Sequence, residues 1–193
     1  MKYSNLAEVG ILGVLNERGA SPLGEVQDVL QHNFGHYYGF SYGVVMPTVR
    51  ELEKRGDVVS SSGTDGEYSY HITDSGRERL QELLLDALTD NEAADVSNHQ
   101  YVLVHLGFLH HLPERDRTAA LASLKEALRE RREKWLEVER THADADVGTN
   151  TGCRRDIFRL NTRIIEVLLE WLQEIEVRTL DTATASETAS EST

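Results

Sequence analysis

The stretch SYGVVMPTVRELEKRGDVV, residues 41–59, limits the folds open to this chain more than any other. Val45, Val49 and Leu52 recur at helical spacing and the pattern stops at Gly56, a residue suited to a left-handed cap. Val58–Ser62 and Glu67–Ile72 then read as two strands reversed at Thr64, Asp65 and Gly66. Thr73 is placed to cap a further helix carrying Leu80, Leu83 and Leu84. A helix that leads at once into a short hairpin and a second helix has few ways to bury its apolar stripe.

Upstream, Leu6, Val9, Leu12 and Leu15 predict a helix over 4–17, and Pro22 opens another with Leu23, Val26, Val29 and Leu30 that ends near Gly35. Phe34, Tyr37, Tyr38, Phe40 and Tyr42 crowd the connection to the third helix, expected over 43–55. Three helices, a two-stranded hairpin and a helix is the order of a winged helix-turn-helix, expected over residues 1–88. Residues 97–112, 114–141 and 153–177 read as helices, the middle one long and charged, and 142–152 as a loop. The expected fold is therefore mainly α with a small two-stranded β wing, followed over 97–178 by an antiparallel helical dimerisation region. The tail TATASETASEST lacks apolar periodicity, and residues 181–193 are expected to be disordered.

Composition narrows the function classes. With 39% hydrophobic and 27% charged residues among 193, the chain reads as soluble and globular, and its opening segment is neither a leader nor a membrane span. Cys153 is the single cysteine, which excludes an internal disulfide framework and suits a cytoplasmic location. It starts the last helix, where a dipole lowers a thiol pKa, yet an inert thiol is the simpler reading. The formal net charge is −13, with only four lysines among 20 basic residues. Excess carboxylate with scarce lysine resembles proteins of salt-loving organisms, whose hydrated acidic surfaces hold molecules apart. His99, His105, His110 and His111 crowd one segment, but none is four residues from another and no ligand motif accompanies them, so no metal site is expected. There is no phosphate loop, nucleophile elbow or paired acid–base motif; neither a catalytic residue nor a cofactor is expected.

The third helix carries the functional expectation. Val45, Val49 and Leu52 fall within about 60° of one another, and Arg50 and Lys54 within roughly 40° of the opposite direction, with Gly43 and Pro47 beside them. A helix with a buried aliphatic stripe and two cations opposite can lie in a major groove, where Arg bonds guanine or phosphate and Lys phosphate. Pro47 is cheap only near a helix start, which places free N–H groups and the positive dipole end beside that face. A solvated helix face is the alternative.

The same residues carry a family resemblance. Ser41, Gly43, Pro47, Leu52, Glu53 and Gly56, then Tyr70, Thr73, Gly76 and Arg77, with Ile11, Leu12, Leu15, Pro22 and Gly24 upstream, resemble the PadR family of transcriptional regulators. The resemblance covers about residues 6–85. It implies a homodimeric regulator, expected to be a repressor, that binds a two-fold site in double-stranded DNA. A small-molecule effector is a further partner, which the sequence leaves unidentified. The departures are Met46 and Glu25, where relatives carry tyrosine, and a wing without basic residues. The expected DNA contacts are Ser41, Tyr42, Gly43, Met46, Pro47, Thr48, Arg50, Lys54, Ser61, Ser62 and Tyr68. Dimerisation is expected through Leu121, Leu124, Leu128, Trp135, Ile164, Leu168, Trp171 and Ile175, which keep 3–4 spacing on the last two helices, with Arg131 at the position between Leu128 and Trp135. A winged-helix module that binds proteins rather than DNA is the second reading, kept open by the acidic surface.

Overall fold

The computed structural model describes residues 2–36, 38–62, 68–89, 99–144 and 151–190. The chain divides into two compact units, residues 1–93 with 98–120, and 121–193 with 94–97.

Helix α1 (Lys2–Arg18) is the axis of the first unit. It touches α2 (Leu23–Phe34), α3 (Tyr42–Arg55), α4 (Asp74–Thr89) and α5 (His99–Gly107). The spacing predicts one apolar stripe, but Leu6, Ala7, Val9, Ile11, Leu12, Val14 and Leu15 are all buried to 1% exposure or less. A helix covered on every side keeps no polar face. Phe40 is fully buried and meets Phe34 at 6.0 Å between ring centroids, whereas Tyr42, expected in the same packed connection, is exposed. Tyr37 lies outside the described residues.

The wing has three strands rather than two, in the order β1 (Ser21–Pro22), β3 (Tyr68–Ile72), β2 (Val58–Ser62), all antiparallel. Val58 pairs with Ile72 and Ser62 with Tyr68. Ser21 pairs with Tyr70, and Pro22 with Ser69 on an outer strand, where a missing N–H costs the sheet nothing. A two-residue strand leaves no periodicity to read. The expected reversal at Thr64–Gly66, and Glu67, lie outside the described residues.

Sequence and structure agree at the ends of α3 and α4. Gly56 has φ 81° and ψ 11°, its N–H donates to the Glu53 carbonyl, and the Asp57 N–H donates to Leu52, closing α3 as a Schellman cap. The Gly76 N–H donates to Thr73 Oγ1 at 3.1 Å, so Thr73 caps α4. This corner is tied by charge. Arg55 Nη2 donates to Glu8 Oε2 at 3.0 Å and Arg55 Nε to Asp57 Oδ2 at 2.9 Å, while Arg79 stands 3.6 Å from Glu8. Glu8 and Asp57 are each only 5% exposed. Buried carboxylates persist because they are paired and hydrogen-bonded.

Helix α5 and a 3-10 turn (Leu109–His111) bury Val102, Val104, Phe108 and Leu109. Residues 98–120, read from the sequence as the start of the helical second half, thus belong to the first unit.

In the second unit, α6 (Glu114–Asp144, from Leu121 onward) runs antiparallel to α7 (Thr151–Ser190). Lys125 pairs with Glu176 at 2.6 Å, Arg132 with Glu166 at 3.0 Å and Arg159 with Glu139 at 2.8 Å, so numbers rise on one helix as they fall on the other. Trp135 packs on Phe158 at 5.5 Å. Helix α7 continues to Ser190, past the position from 181 at which the sequence predicts disorder. Adding residues to an existing helix needs no new nucleation, so even a segment rich in Thr and Ser can continue it. Among the described residues no helix is long and apolar enough to cross a membrane.

Candidate nucleic-acid interface

Burial sorts the residues of α3 into two faces. Val45, Val49 and Leu52 are fully buried, while Gly43, Pro47, Arg50 and Lys54 are exposed, as the angular reading of the sequence expects. Ser41 is extended (φ −69°, ψ 151°), and its carbonyl accepts from the Val44 and Val45 N–H groups at 2.9 Å, while its hydroxyl makes no capping bond. The helix starts at Tyr42, one residue before its expected start, so Pro47 stands inside it as the sixth residue. Proline offers no N–H to the Gly43 carbonyl one turn back, and exposure of both residues leaves that oxygen to solvent. Met46 is half-buried beside this face.

Thr48 does not belong to the outer face. It is buried, and Oγ1 donates to the Val44 carbonyl at 2.7 Å, the local bond that a threonine makes when its side chain turns inward.

The cationic surface is narrow. Lys54 Nζ lies 3.9 Å from Glu51 Oε2 and both side chains are exposed. Arg55 is engaged by Glu8 and Asp57, so of the three cations on α3 it is the one held for structure. Glu53 is bonded by the Ser60 hydroxyl of β2, which ties the helix to the wing. On the wing, Ser61, Ser62 and Tyr68 are exposed, and Ser61 Oγ stands 3.5 Å from the Ser69 carbonyl.

Tyr70 was matched in the sequence only as part of a motif, yet it stands where wing and helix meet. Burial pushes its phenol above the ordinary value near 10, the Glu53 carboxylate adds to that rise, and the Arg50 guanidinium opposes it. The phenol thus stays protonated, within the fields of both a cation and an anion of α3. Its signal in the sequence is its register opposite Ser60, which the hairpin pairing alone supplies.

Of the residues expected to dimerise, Leu121, Leu124 and Leu128 are buried within one chain. Trp135, Ile164, Leu168, Trp171 and Ile175 are half-buried. Among the described residues of α7 the exposed large apolar ones are Ile157, Leu160 and Val167, which with Ile164 and Trp171 keep 3–4 spacing on one side of the helix. Val167 lies beside the stripe that the sequence predicts, which runs through Leu168.

No protein-family model matches the chain, and no curated protein matches it. Among solved structures it is similar to Bacillus subtilis PadR in complex with operator DNA, at TM-score 0.37 and 14% identity over 87% of this chain and 96% of that one. It is likewise similar to Bacillus subtilis PadR in complex with p-coumaric acid, at TM-score 0.37 and 12% identity over 89% and 94%. Likeness at that level is slight, and the reading of this site stands on its own side chains.

Proposed function

We propose that the chain is a sequence-specific double-stranded-DNA-binding transcription regulator of PadR type, acting on a two-fold operator as a homodimer and most simply as a repressor. The observation that carries this is the division of α3. Its aliphatic stripe is buried, and Arg50 and Lys54 stand exposed beside Gly43 and Pro47. Arg50, nearer the helix start, reads base edges, and Lys54, one turn later, meets phosphate. Ser41, Tyr42, Gly43, Met46, Pro47, Ser61, Ser62 and Tyr68 complete the surface, joined by Tyr70; Thr48 is left out because it is buried.

The exposed α7 residues Ile157, Leu160 and Val167, with Ile164, Leu168, Trp171 and Ile175 beside them, support pairing of two chains, which would set the spacing of two recognition helices. Leu121, Leu124 and Leu128 contribute by shaping each chain rather than by meeting the partner. With a net charge of −13, affinity rests on these local contacts more than on bulk attraction, an arrangement suited to a salt-rich cell where counterion release drives little binding.

The test is selection of bound fragments from the native genome in concentrated potassium chloride. Enrichment of a palindromic sequence supports the proposal. Absence of any double-stranded fragment above background favours the protein-binding module, to which exposed Glu51 and Glu53 on the same helix would then belong.

A further inference from the structure

The last turn of α1 and the 3-10 turn after α5 bring three ligating side chains together far from α3 in sequence. Glu17 Oε1 lies 3.1 Å from His110 Nε2 and 3.5 Å from His111 Nε2. One ligand atom from each of the three residues lies within 4.8 Å of the others. Side chains of adjacent helical residues ordinarily diverge by about 100–120°. Here the two imidazoles instead stand 4.1 Å apart between centroids and aim at one carboxylate oxygen.

An ion pair accounts for only part of this. At 3.1 Å His110 can bond Glu17, but His111 Nε2 is buried, has no hydrogen-bond partner among the described residues, and lies too far from the same oxygen to bond it. The two distances from Glu17, 3.1 and 3.5 Å, fit another geometry. Around a tetrahedral ion with bonds of about 2.0–2.1 Å to nitrogen and oxygen, ligand atoms stand about 3.3 Å apart. One carboxylate and two neutral imidazoles form a donor set favoured by zinc and its first-row neighbours.

We propose that Glu17 Oε1, His110 Nε2 and His111 Nε2 bind a first-row transition-metal dication such as Zn2+, with the fourth position left to water. The ion pins the C-terminal end of α1 to the turn after α5.

The surrounding contacts add a requirement. Asn16 Nδ2 donates to His111 Nδ1 at 2.9 Å, and Asn16 Oδ1 accepts from Arg77 Nε at 3.1 Å. In that arrangement the neutral His111 ring carries its proton on Nε2. A metal at Nε2 replaces that proton and leaves the ring one on Nδ1, which needs an acceptor. The Asn16 amide must therefore turn over, presenting Oδ1 to His111 and giving up its bond from Arg77. Arg77 keeps its ion pair with Asp74. A carboxylate at position 16 would accept from both neighbours at once, as second-sphere carboxylates do for metal-bound histidines.

The test is calorimetric titration of the full chain, first stripped with chelator and dialysed, with Zn2+ alone. One saturable site per chain is expected. Glu17→Gln and His110→Ala, both at side chains open to solvent, should each abolish it while the far-UV spectrum stays unchanged. Asn16→Asp should tighten binding by about tenfold or more. Wild-type affinity in the Glu17→Gln or His110→Ala variant, or no saturable uptake by the wild-type chain, would overturn the site.

Discussion

Arg55→Met separates structural from functional cations on α3. Arg55 bonds Glu8 through both terminal nitrogens, at 3.4 and 3.0 Å, and Asp57 through Nε at 2.9 Å. Its loss leaves Glu8 with Arg79 at 3.6 Å and Asp57 with the Ser75 hydroxyl at 3.0 Å, both carboxylates still buried. Breaking a buried pair from one side costs about 3–5 kcal/mol. The Arg55 side chain is 40% exposed and Arg79 gives partial relief, so the lower end applies, about 3 kcal/mol. For a chain of this length that corresponds to a melting temperature lower by about 6–12 °C. The control is Lys54→Met, one residue away, whose exposed pair with Glu51 is worth about 0–1 kcal/mol. Thermal unfolding followed by circular dichroism at fixed salt compares the two. If Arg55→Met melts within a degree or two of Lys54→Met, the Glu8–Arg55–Asp57 corner does not hold α3 in place.

Gly76→Ala should destabilise the first unit by about 2–4 kcal/mol, because an added Cβ would stand 2.1 Å from the Asp57 carbonyl oxygen; urea unfolding measures it. His105 is buried with Nδ1 2.6 Å from the Tyr101 carbonyl, and burial lowers its pKa from 6.5 to about 4. The unfolded chain therefore takes the proton first. The stability that neutral His105 contributes is full above pH 6.5 and is lost as pH falls toward 4, by up to about 3 kcal/mol. His105→Leu should flatten melting temperature against pH in that window, and an unchanged slope would exclude His105 as the cause. The wild type should be a dimer by light scattering, and Leu160→Asp, at a side chain 56% exposed, should give a folded monomer. An unchanged dimer would remove the α7 face from the proposal.

The elements most legible in the sequence were those with a local physical signature. Gly56 announced a left-handed cap, Thr73 a helix start, and the alternation of Val45, Val49 and Leu52 with Arg50 and Lys54 fixed which side of α3 is buried. What stayed hidden depended on which way a side chain turns, or on partners distant in the chain. Thr48 shares the polar character of a contact residue, but its hydroxyl is satisfied by Val44 within the helix. Glu8 breaks an apolar run in the sequence and gains its meaning only from Arg55, 47 residues away. The convergence of Glu17 with His110 and His111 has no sequence spacing at all, since it joins α1 to a turn beyond α5. Strand β1 is too short to carry a period, and its pairing with β3 is set by tertiary placement.

If the exposed side of α3 reads DNA, Arg50→Ala and Lys54→Ala must both change binding of the selected operator. Titration in concentrated potassium chloride should show Arg50→Ala weakened by about 1–3 kcal/mol with relaxed sequence preference, and Lys54→Ala weakened about equally on operator and unrelated duplexes. Both variants should melt as the wild type does, because neither side chain is buried. Wild-type operator affinity in both variants would mean that α3 does not read DNA and would leave it a surface for a protein partner.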